Sequence, residues 1–248
     1  MTERVTIRKP DDFINIVDIL KDITSECVFV FNKENIKIMT FDSGLSCLSD
    51  IVLSKPYKKL ALSESKSIGL NLKDFHNKLQ LKSQDDVMVI TFNEDDIRVK
   101  FTKPESSKSS VSFSMKMLNI DEVDVELDLD LSNNIKLNSK YFSKLINDIK
   151  RFGEDITLSG TKDTFSLKYE DEVEIKTSND DDDILEIDIN NDFNISFLLK
   201  FFTPIKKAEK ITEEVILNME NNEMPLIIKY EKKNTKIHFI ISPKTNDN

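Results

Sequence analysis

An α+β fold built twice in one chain is what the sequence predicts, and three features predict it. Asp85–Phe101 (D-D-V-M-V-I-T-F-N-E-D-D-I-R-V-K-F) and Glu213–Tyr230 (E-E-V-I-L-N-M-E-N-N-E-M-P-L-I-I-K-Y) each read as two alternating strands about an acidic, polar turn, a hairpin signature. Val87 and Val215 hold matching places in them, 128 positions apart, and the helical patterns that open each half agree, with Phe13 and Phe142 129 positions apart. Between the halves runs Met117–Leu131, without Gly or Pro and alternating acid with aliphatic after Asp121. A carboxylate at nearly every second position discourages pairing as a buried central strand, so this run is expected to lie extended over the surface as a connector. The domains are then residues 1–117 and 132–248, joined by 118–131.

In chain order, Arg4–Arg8 is a short alternating strand. Pro10-Asp11-Asp12 starts a helix, with acids favourable at its N-terminal dipole and one apolar stripe of Phe13, Ile16, Val17 and Leu20. Cys27–Phe31 and Ile36–Phe41 are strands about the turn Asn32–Asn35. Asp42-Ser43-Gly44 is a bend, Leu45–Leu53 a further strand, and Ile68–Leu72 a strand end. Asn71 or Lys73-Asp74 leads into a short helix with Leu72, Phe75 and Leu79 inward and Lys73, His76, Asn77 and Lys78 outward. After the hairpin come a polar loop, Glu105–Ser110, and a strand on which Val111, Phe113, Met115 and Met117 alternate.

Beyond the connector, Asn134–Leu137 is a strand, and Asn138 or Ser139 caps the helix Lys140–Phe152, which Gly153 ends. Phe142, Leu145, Ile146 and Ile149 form its apolar stripe. Lys140, Lys144, Asn147 and Arg151 share the opposite side. Strands follow at Ile156–Ser159, Thr164–Tyr169, Val173–Thr177 and Leu185–Ile189, with Asp180–Asp183 a solvated turn. Phe193–Phe202 is apolar enough for a buried short helix, broken by Thr203-Pro204 and followed by Lys206, Lys207 and Lys210. The count is four helices among many antiparallel strands, two helices on a sheet in each half, which is the α+β plan.

Composition bounds the function. Charged residues at 32% and hydrophobic ones at 39% describe a globular, soluble chain. A formal charge of −10 argues against a nonspecific nucleic-acid coat but leaves room for a local basic face. Cys27 and Cys47 are too few for a disulfide framework and lack metal-ligand spacing, so both are expected reduced and intracellular, and no metal or cofactor is expected. No apolar run approaches a membrane span, and M-T-E-R-V-T-I holds no signal core. Four glycines leave no place for a phosphate loop. His76 and His238 are far apart, no nucleophile motif appears, and an enzyme on this scaffold is the least supported reading.

Several stretches share an order with a known family. Leu20-Lys21-Asp22 precedes the Cys27 strand, Met39-Thr40-Phe41-Asp42-Ser43 forms the bend, and Gly69-Leu70-Asn71-Leu72 precedes the second helix. Met115-Lys116-Met117 enters the connector. Phe201-Phe202, Met224-Pro225-Leu226-Ile227-Ile228-Lys229-Tyr230 and Ser242-Pro243-Lys244 close the chain. In these the chain resembles proliferating cell nuclear antigen, the eukaryotic and viral sliding clamp, over nearly its whole length. The resemblance implies the DNA clamp fold: two similar domains per chain closing head to tail into a six-domain ring, helices on the inner face and antiparallel sheets outside. It implies a non-enzymatic homotrimer that encircles double-stranded DNA without reading sequence, acts as a DNA polymerase processivity factor in the nucleus or a viral replication compartment, and is placed by a clamp loader.

The same resemblance implies site residues. The phosphate contacts are Lys21, Lys73, Lys78, Lys82, Lys140, Lys144, Lys150, Arg151, Lys200 and Lys207. An apolar pocket for partners' short peptide motifs is framed by Phe41, Ser46, Leu48, Val125, Leu127, Pro225, Ile240, Ser242 and Pro243. The subunit interface pairs the strand of Val111, Phe113 and Met115 with that of Val173 and Ile175. The chain departs from the family pattern at Asn15, Asn77 and Gln80, where lysine is usual, at Asp128, where the connector usually has proline, and at Ile240, usually tyrosine. Weaker or differently placed DNA contact is therefore expected from the first domain. Two related readings stay open: a checkpoint-type clamp subunit of a hetero-oligomer, and a viral processivity factor working as a monomer.

Overall fold

The computed structural model describes residues 2–103, 106–127, 129, 131–221 and 223–244. The chain divides into two compact units, Met1–Thr40 with Asp50–Asp124 and Lys233–Thr235, and Phe41–Ser49 with Val125–Lys232 and Lys236–Asn248.

Both halves spell the same order of elements. The first runs β1 (Arg4–Ile7), α1 (Asp11–Leu20), β2 (Glu26–Phe31), β3 (Asn35–Phe41), β4 (Cys47–Ser54), β5 (Tyr57–Ala61), β6 (Lys66–Asn71), α2 (Leu72–Leu79), β7 (Val87–Phe92), β8 (Asp96–Lys103) and β9 (Ser106–Lys116). The second runs β10 (Asn133–Asn138), α3 (Ser139–Ile149), β11 (Asp155–Thr161), β12 (Thr164–Tyr169), β13 (Val173–Ser178), β14 (Ile184–Asp188), β15 (Phe193–Leu198), α4 (Leu199–Ile205), a 3-10 turn at Lys206–Lys210, then β16 (Glu214–Met219), β17 (Leu226–Lys232) and β18 (Thr235–Ile241). Side by side, the strands of the first unit lie β5-β1-β7-β8-β9 and β4-β3-β2-β6; those of the second lie β14-β10-β16-β17-β18 and β13-β12-β11-β15. Adding nine to each strand number converts the first pair of orders into the second. The duplication read from two hairpins therefore extends to every strand.

In the first unit the alternation of β1, β7 and β8 points Val5, Ile7, Ile90, Ile97, Val99 and Phe101 inward, all buried. Phe13 of α1, Phe75 of α2 and Phe29 of β2 meet with ring centroids 5.6 to 6.0 Å apart. Phe75 also meets Phe113 of β9. One aromatic cluster thus ties both helices to both groups of strands, each such pair contributing about 0.5–1.5 kcal/mol beyond its burial. In the second unit Phe142 of α3 fills the place of Phe13 and is fully buried, as are Phe165, Phe197 and Phe202, the last two in ring contact.

Asn71 caps α2, its side chain accepting the Asp74 N–H at 2.9 Å. Asn138 caps α3 by accepting the N–H groups of Lys140 and Tyr141, while Ser139 donates instead to the Thr212 carbonyl. The connector holds no strand pairing between Asn119 and Leu127, and Asp121, Glu122, Asp124 and Glu126 are exposed. It is pinned at its start, where the Leu118 N–H donates to the Gly69 carbonyl. A Cβ on Gly69 would stand 2.5 Å from the Leu118 oxygen, so glycine is required there for close approach. Asp128 and Asp130 lie outside the described residues.

Several expectations are corrected. Phe193–Phe202 is not one helix: Phe193, Ile195 and Phe197 alternate inward on β15, and the helix starts only at Leu199. Pro204 lies inside α4 rather than breaking it, because the chain tightens into the 3-10 turn directly afterwards and little of the α ladder remains to be lost. Leu45 does not begin a strand but sits in the turn at φ 56. Tyr57–Ala61, without alternation, is an edge strand. Of the polar loop, Ser106–Ser110 belong to β9, and Glu105 lies outside the described residues. Gly153 gives α3 no left-handed cap, since no described glycine has positive φ. It is needed because the Tyr169 ring lies 2.0 Å from where its Cβ would be.

Candidate functional site

Ten cations singled out in the sequence lie on or just beyond helices. Lys21 follows α1; Lys73 and Lys78 are on α2, with Lys82 beyond it. Lys140 and Lys144 are on α3, followed by Lys150 and Arg151. Lys200 is on α4, and Lys207 is in the 3-10 turn. This placement follows from the stripes: with Phe13, Phe75 and Phe142 turned to the core, the polar side of each helix faces solvent.

The two units differ in how far this charge is already neutralised. Lys21 lies between Asp18 (3.1 Å) and Asp22 (2.9 Å). Burial alone would lower its pKa, but the hydrogen bonds to Asp22 and Asp18 outweigh it and raise it. Lys78 pairs with Asp74 at 2.8 Å and Lys82 with Asp11 at 2.9 Å. His76 reaches Asp18 at 3.2 Å. In the second unit Lys140, Lys144, Lys150 and Lys200 form no ion pair among the described residues, and all four are exposed. Lys144 stands over the Tyr141 ring and Lys200 over Phe201. Arg151 pairs loosely with Asp148 at 3.6 Å. Lys206 donates to Asn147, and its pKa is lowered, first by burial and then by the charges of Lys150 and Lys207.

A cavity of about 810 Å³ lies within the second unit. It gathers eight of the nine pocket residues: Phe41, Ser46, Leu48, Leu127, Pro225, Ile240, Ser242 and Pro243. Its geometry starts at Asp42, whose carboxylate accepts the N–H groups of Gly44, Ser46 and Cys47 at 3.1, 2.7 and 2.8 Å. That knot forces Leu45 into a left-handed conformation, which costs about 1–2 kcal/mol, and leaves it 70% exposed at the cavity mouth. The C-terminal wall is fastened on two sides: the Ser242 N–H donates to Ser46, and the Lys244 N–H to Ser196. The Lys244 side chain pairs with Asp155, which raises its pKa. Leu127, 47% exposed, forms the connector's lip. Val125, the ninth, is exposed and is not among the residues that line the cavity.

Of the expected interface residues, Val111 is exposed and Val173 and Ile175 are half-buried, on β9 and β13, each at the open end of its strand order. Met115 is turned into its own core at 5% exposure, whereas Phe113 is half-buried, in contact with the rings of Phe75 and Phe101. Cys27 and Cys47 are buried thiols with pKa pushed up by burial, Cys47 to about 12. Among the described residues no cluster of His, Cys, Asp and Glu converges as a metal site.

Family models account for nearly all of this chain. The N-terminal domain of proliferating cell nuclear antigen matches residues 9–127, and its C-terminal domain matches residues 125–245. The chain belongs to the proliferating cell nuclear antigen family. The DNA polymerase sliding clamp 1 of Thermococcus kodakarensis is 21% identical over 242 residues, 95% of this chain and 96% of that protein. The proliferating cell nuclear antigen of Chaetomium thermophilum is 20% identical, covering 94% of each chain. The crystal structure of the Entamoeba histolytica proliferating cell nuclear antigen superposes with a TM-score of 0.87 at 20% identity, covering 99% of this chain and 100% of that one. The fold is therefore the α+β DNA clamp fold of that family.

Against the family pattern, sequence reasoning missed Leu45, Asn194, Ile195, Ser196, Glu223 and Lys244, which complete the cavity lining. Asn194–Ser196 were hidden by reading β15 as helix. The alternation of Phe193, Ile195 and Phe197 was the signal that would have found them.

Proposed function

We propose that this chain is a non-catalytic DNA sliding clamp: three copies close head to tail around double-stranded DNA, tether a DNA polymerase, and dock other replication and repair proteins in the nucleus. The domains are residues 1–117 and 132–248, with 118–131 as connector. The observation that carries this reading is the strand order that repeats at an interval of nine, with solvent-facing cations gathered on the helices. In a net acidic chain such a face supplies phosphate contacts, while the remaining surface repels nonspecific nucleic acid. Those contacts carry no sequence information, which suits a protein that slides.

Closure follows from the same repeat. In the second unit β18 lies beside the Cys47–Ser49 start of β4. Stepping back by nine turns β18 into β9, and stepping forward turns β4 into β13. The repeat supports a junction of β9 of one copy with β13 of the next, which would cover two strand edges that otherwise invite aggregation. This is why a self-trimer is preferred over the monomeric and hetero-oligomeric readings. The test is retention: loaded by a clamp loader, the protein stays on closed circular DNA and leaves after linearisation. Equal loss from both substrates would sink the reading.

The cavity of the second unit is read as the socket for partner peptides carrying an aromatic anchor, with Leu127 as its exposed lip. Leu127→Asp should lower affinity for such a peptide by about tenfold to a hundredfold, as expected for the loss of an apolar hot-spot contact, measured by calorimetry. Leu127 is exposed, so unfolding temperature and retention on circular DNA should be unchanged. Undiminished peptide binding would assign the aromatic anchor to another place.

A further inference from the structure

The first unit carries a second concentration of positive charge, on the sheet face turned away from α1 and α2. Inward residues of β8, such as Phe101, reach the helices through Phe113 and Phe75, so Arg98 and Lys100 face the other way. The register Lys59↔Thr6, Thr6↔Val89, Val89↔Lys100 makes a row across β5, β1, β7 and β8, and Arg4↔Thr91↔Arg98 makes the next. Beside them Arg4, Lys58, Lys59 and Lys103 surround a shallow depression of about 250 Å³ floored by Val87 and Val89. All six cations are exposed, and none forms an ion pair among the described residues, in contrast to Lys21, Lys78 and Lys82 on the helix side of the same unit. Six cations without an ion pair among the described residues repel one another on one sheet face, a cost that an anionic partner removes.

We propose that this face binds an acidic segment of a partner protein in extended form, with carboxylates on either side of a small aliphatic residue. Lys59 and Lys100 are separated by three strand spacings, about 14 Å, which about four residues of extended chain cover. Acids four apart therefore meet both lysines, and the residue midway between them rests between Thr6 and Val89. A single-stranded nucleic acid would want aromatic platforms, and the depression has none. A duplex offers one phosphate per about 1.7 Å and nothing apolar for the valine floor.

The test uses the full chain and the labelled peptide Asp-Ser-Val-Ser-Asp-Ser-Val-Ser-Asp, followed by fluorescence polarisation, with an Asn-for-Asp counterpart as control. The wild type should bind the acidic peptide and not the control, and binding should fade with salt. Lys59→Glu with Lys100→Glu should weaken it about tenfold or more and leave the affinity for a short linear duplex unchanged. Lys59→Gln with Lys100→Gln, read in the same way, covers the case in which reversal perturbs the sheet. The proposal is overturned if the wild type ignores the peptide, if the variants bind it as well as the wild type does, or if the substitutions weaken duplex binding and spare the peptide.

Discussion

Replacing Lys140 and Lys144 by glutamate is expected to remove most of the affinity for DNA that the proposed clamp has. Both lie on the solvent side of α3, one turn apart, and neither has an acidic partner among the described residues. Their charge is thus available to phosphate, and reversal turns attraction into repulsion. The logarithm of affinity plotted against the logarithm of salt should become shallower by about two units for each protomer engaged, and affinity near 0.1 M salt should fall at least about tenfold. The matched reversal of Lys78 and Lys82 should cost less, about threefold or under, because Asp74 and Asp11 already hold those charges at 2.8 and 2.9 Å and exposed pairs of this kind are weak. Electrophoretic mobility or anisotropy on a short duplex across a salt series checks both. Equal losses from the two units would show that the ion pairs of α2 open on DNA at no cost. An unchanged α3 variant would place the DNA elsewhere.

That asymmetry was half visible in the sequence. Asn15, Asn77 and Gln80 stand where the family has lysine, and Asp11, Asp18 and Asp22 crowd α1. But which acid meets which lysine depends on the approach of α1 to α2, and that is tertiary. Helices were legible because each shows one stripe: Phe13, Ile16, Val17 and Leu20 on α1, Phe142, Leu145, Ile146 and Ile149 on α3, all buried. Strand β5 was not, because a short edge strand with Lys58, Lys59 and Leu60 all exposed has no buried face to impose alternation. The β15–α4 boundary was lost for the opposite reason: both elements are apolar, and a change from period two to period 3.6 inside one greasy run is easily read as one element. The lining of the second-unit cavity was legible where the family motif named residues and was missed where β15 supplied them. Leu45 was unreadable in principle, since its left-handed backbone is set by the three N–H groups that Asp42 gathers, next to a glycine that would have adopted that conformation more cheaply.

Val111→Asp combined with Ile175→Asp should abolish the proposed trimer and leave a monomer. Val111 is 44% exposed on β9, and Ile175 is half-buried on β13, so neither change empties a core. Unfolding temperature in dilute solution should move by no more than a few degrees, as is usual for surface substitutions. Closure is another matter, because each proposed junction would then bury two unpaired carboxylates. The cost is several kcal/mol per junction before repulsion is counted, and it recurs at every junction of the ring. Light scattering should show the mass of the wild type falling to that of one chain. Loaded variant should leave circular DNA as fast as linear DNA, even though α3 keeps every cation. Phe113→Ala gives the contrast: half-buried and in contact with the rings of Phe75 and Phe101, it should destabilise the first unit by about 1–3 kcal/mol, less than a fully buried ring would, and weaken assembly only through that loss. A Val111/Ile175 variant that remains trimeric would mean that β9 and β13 do not form the junction, and the step of nine that seats one beside the other would no longer describe how the copies join.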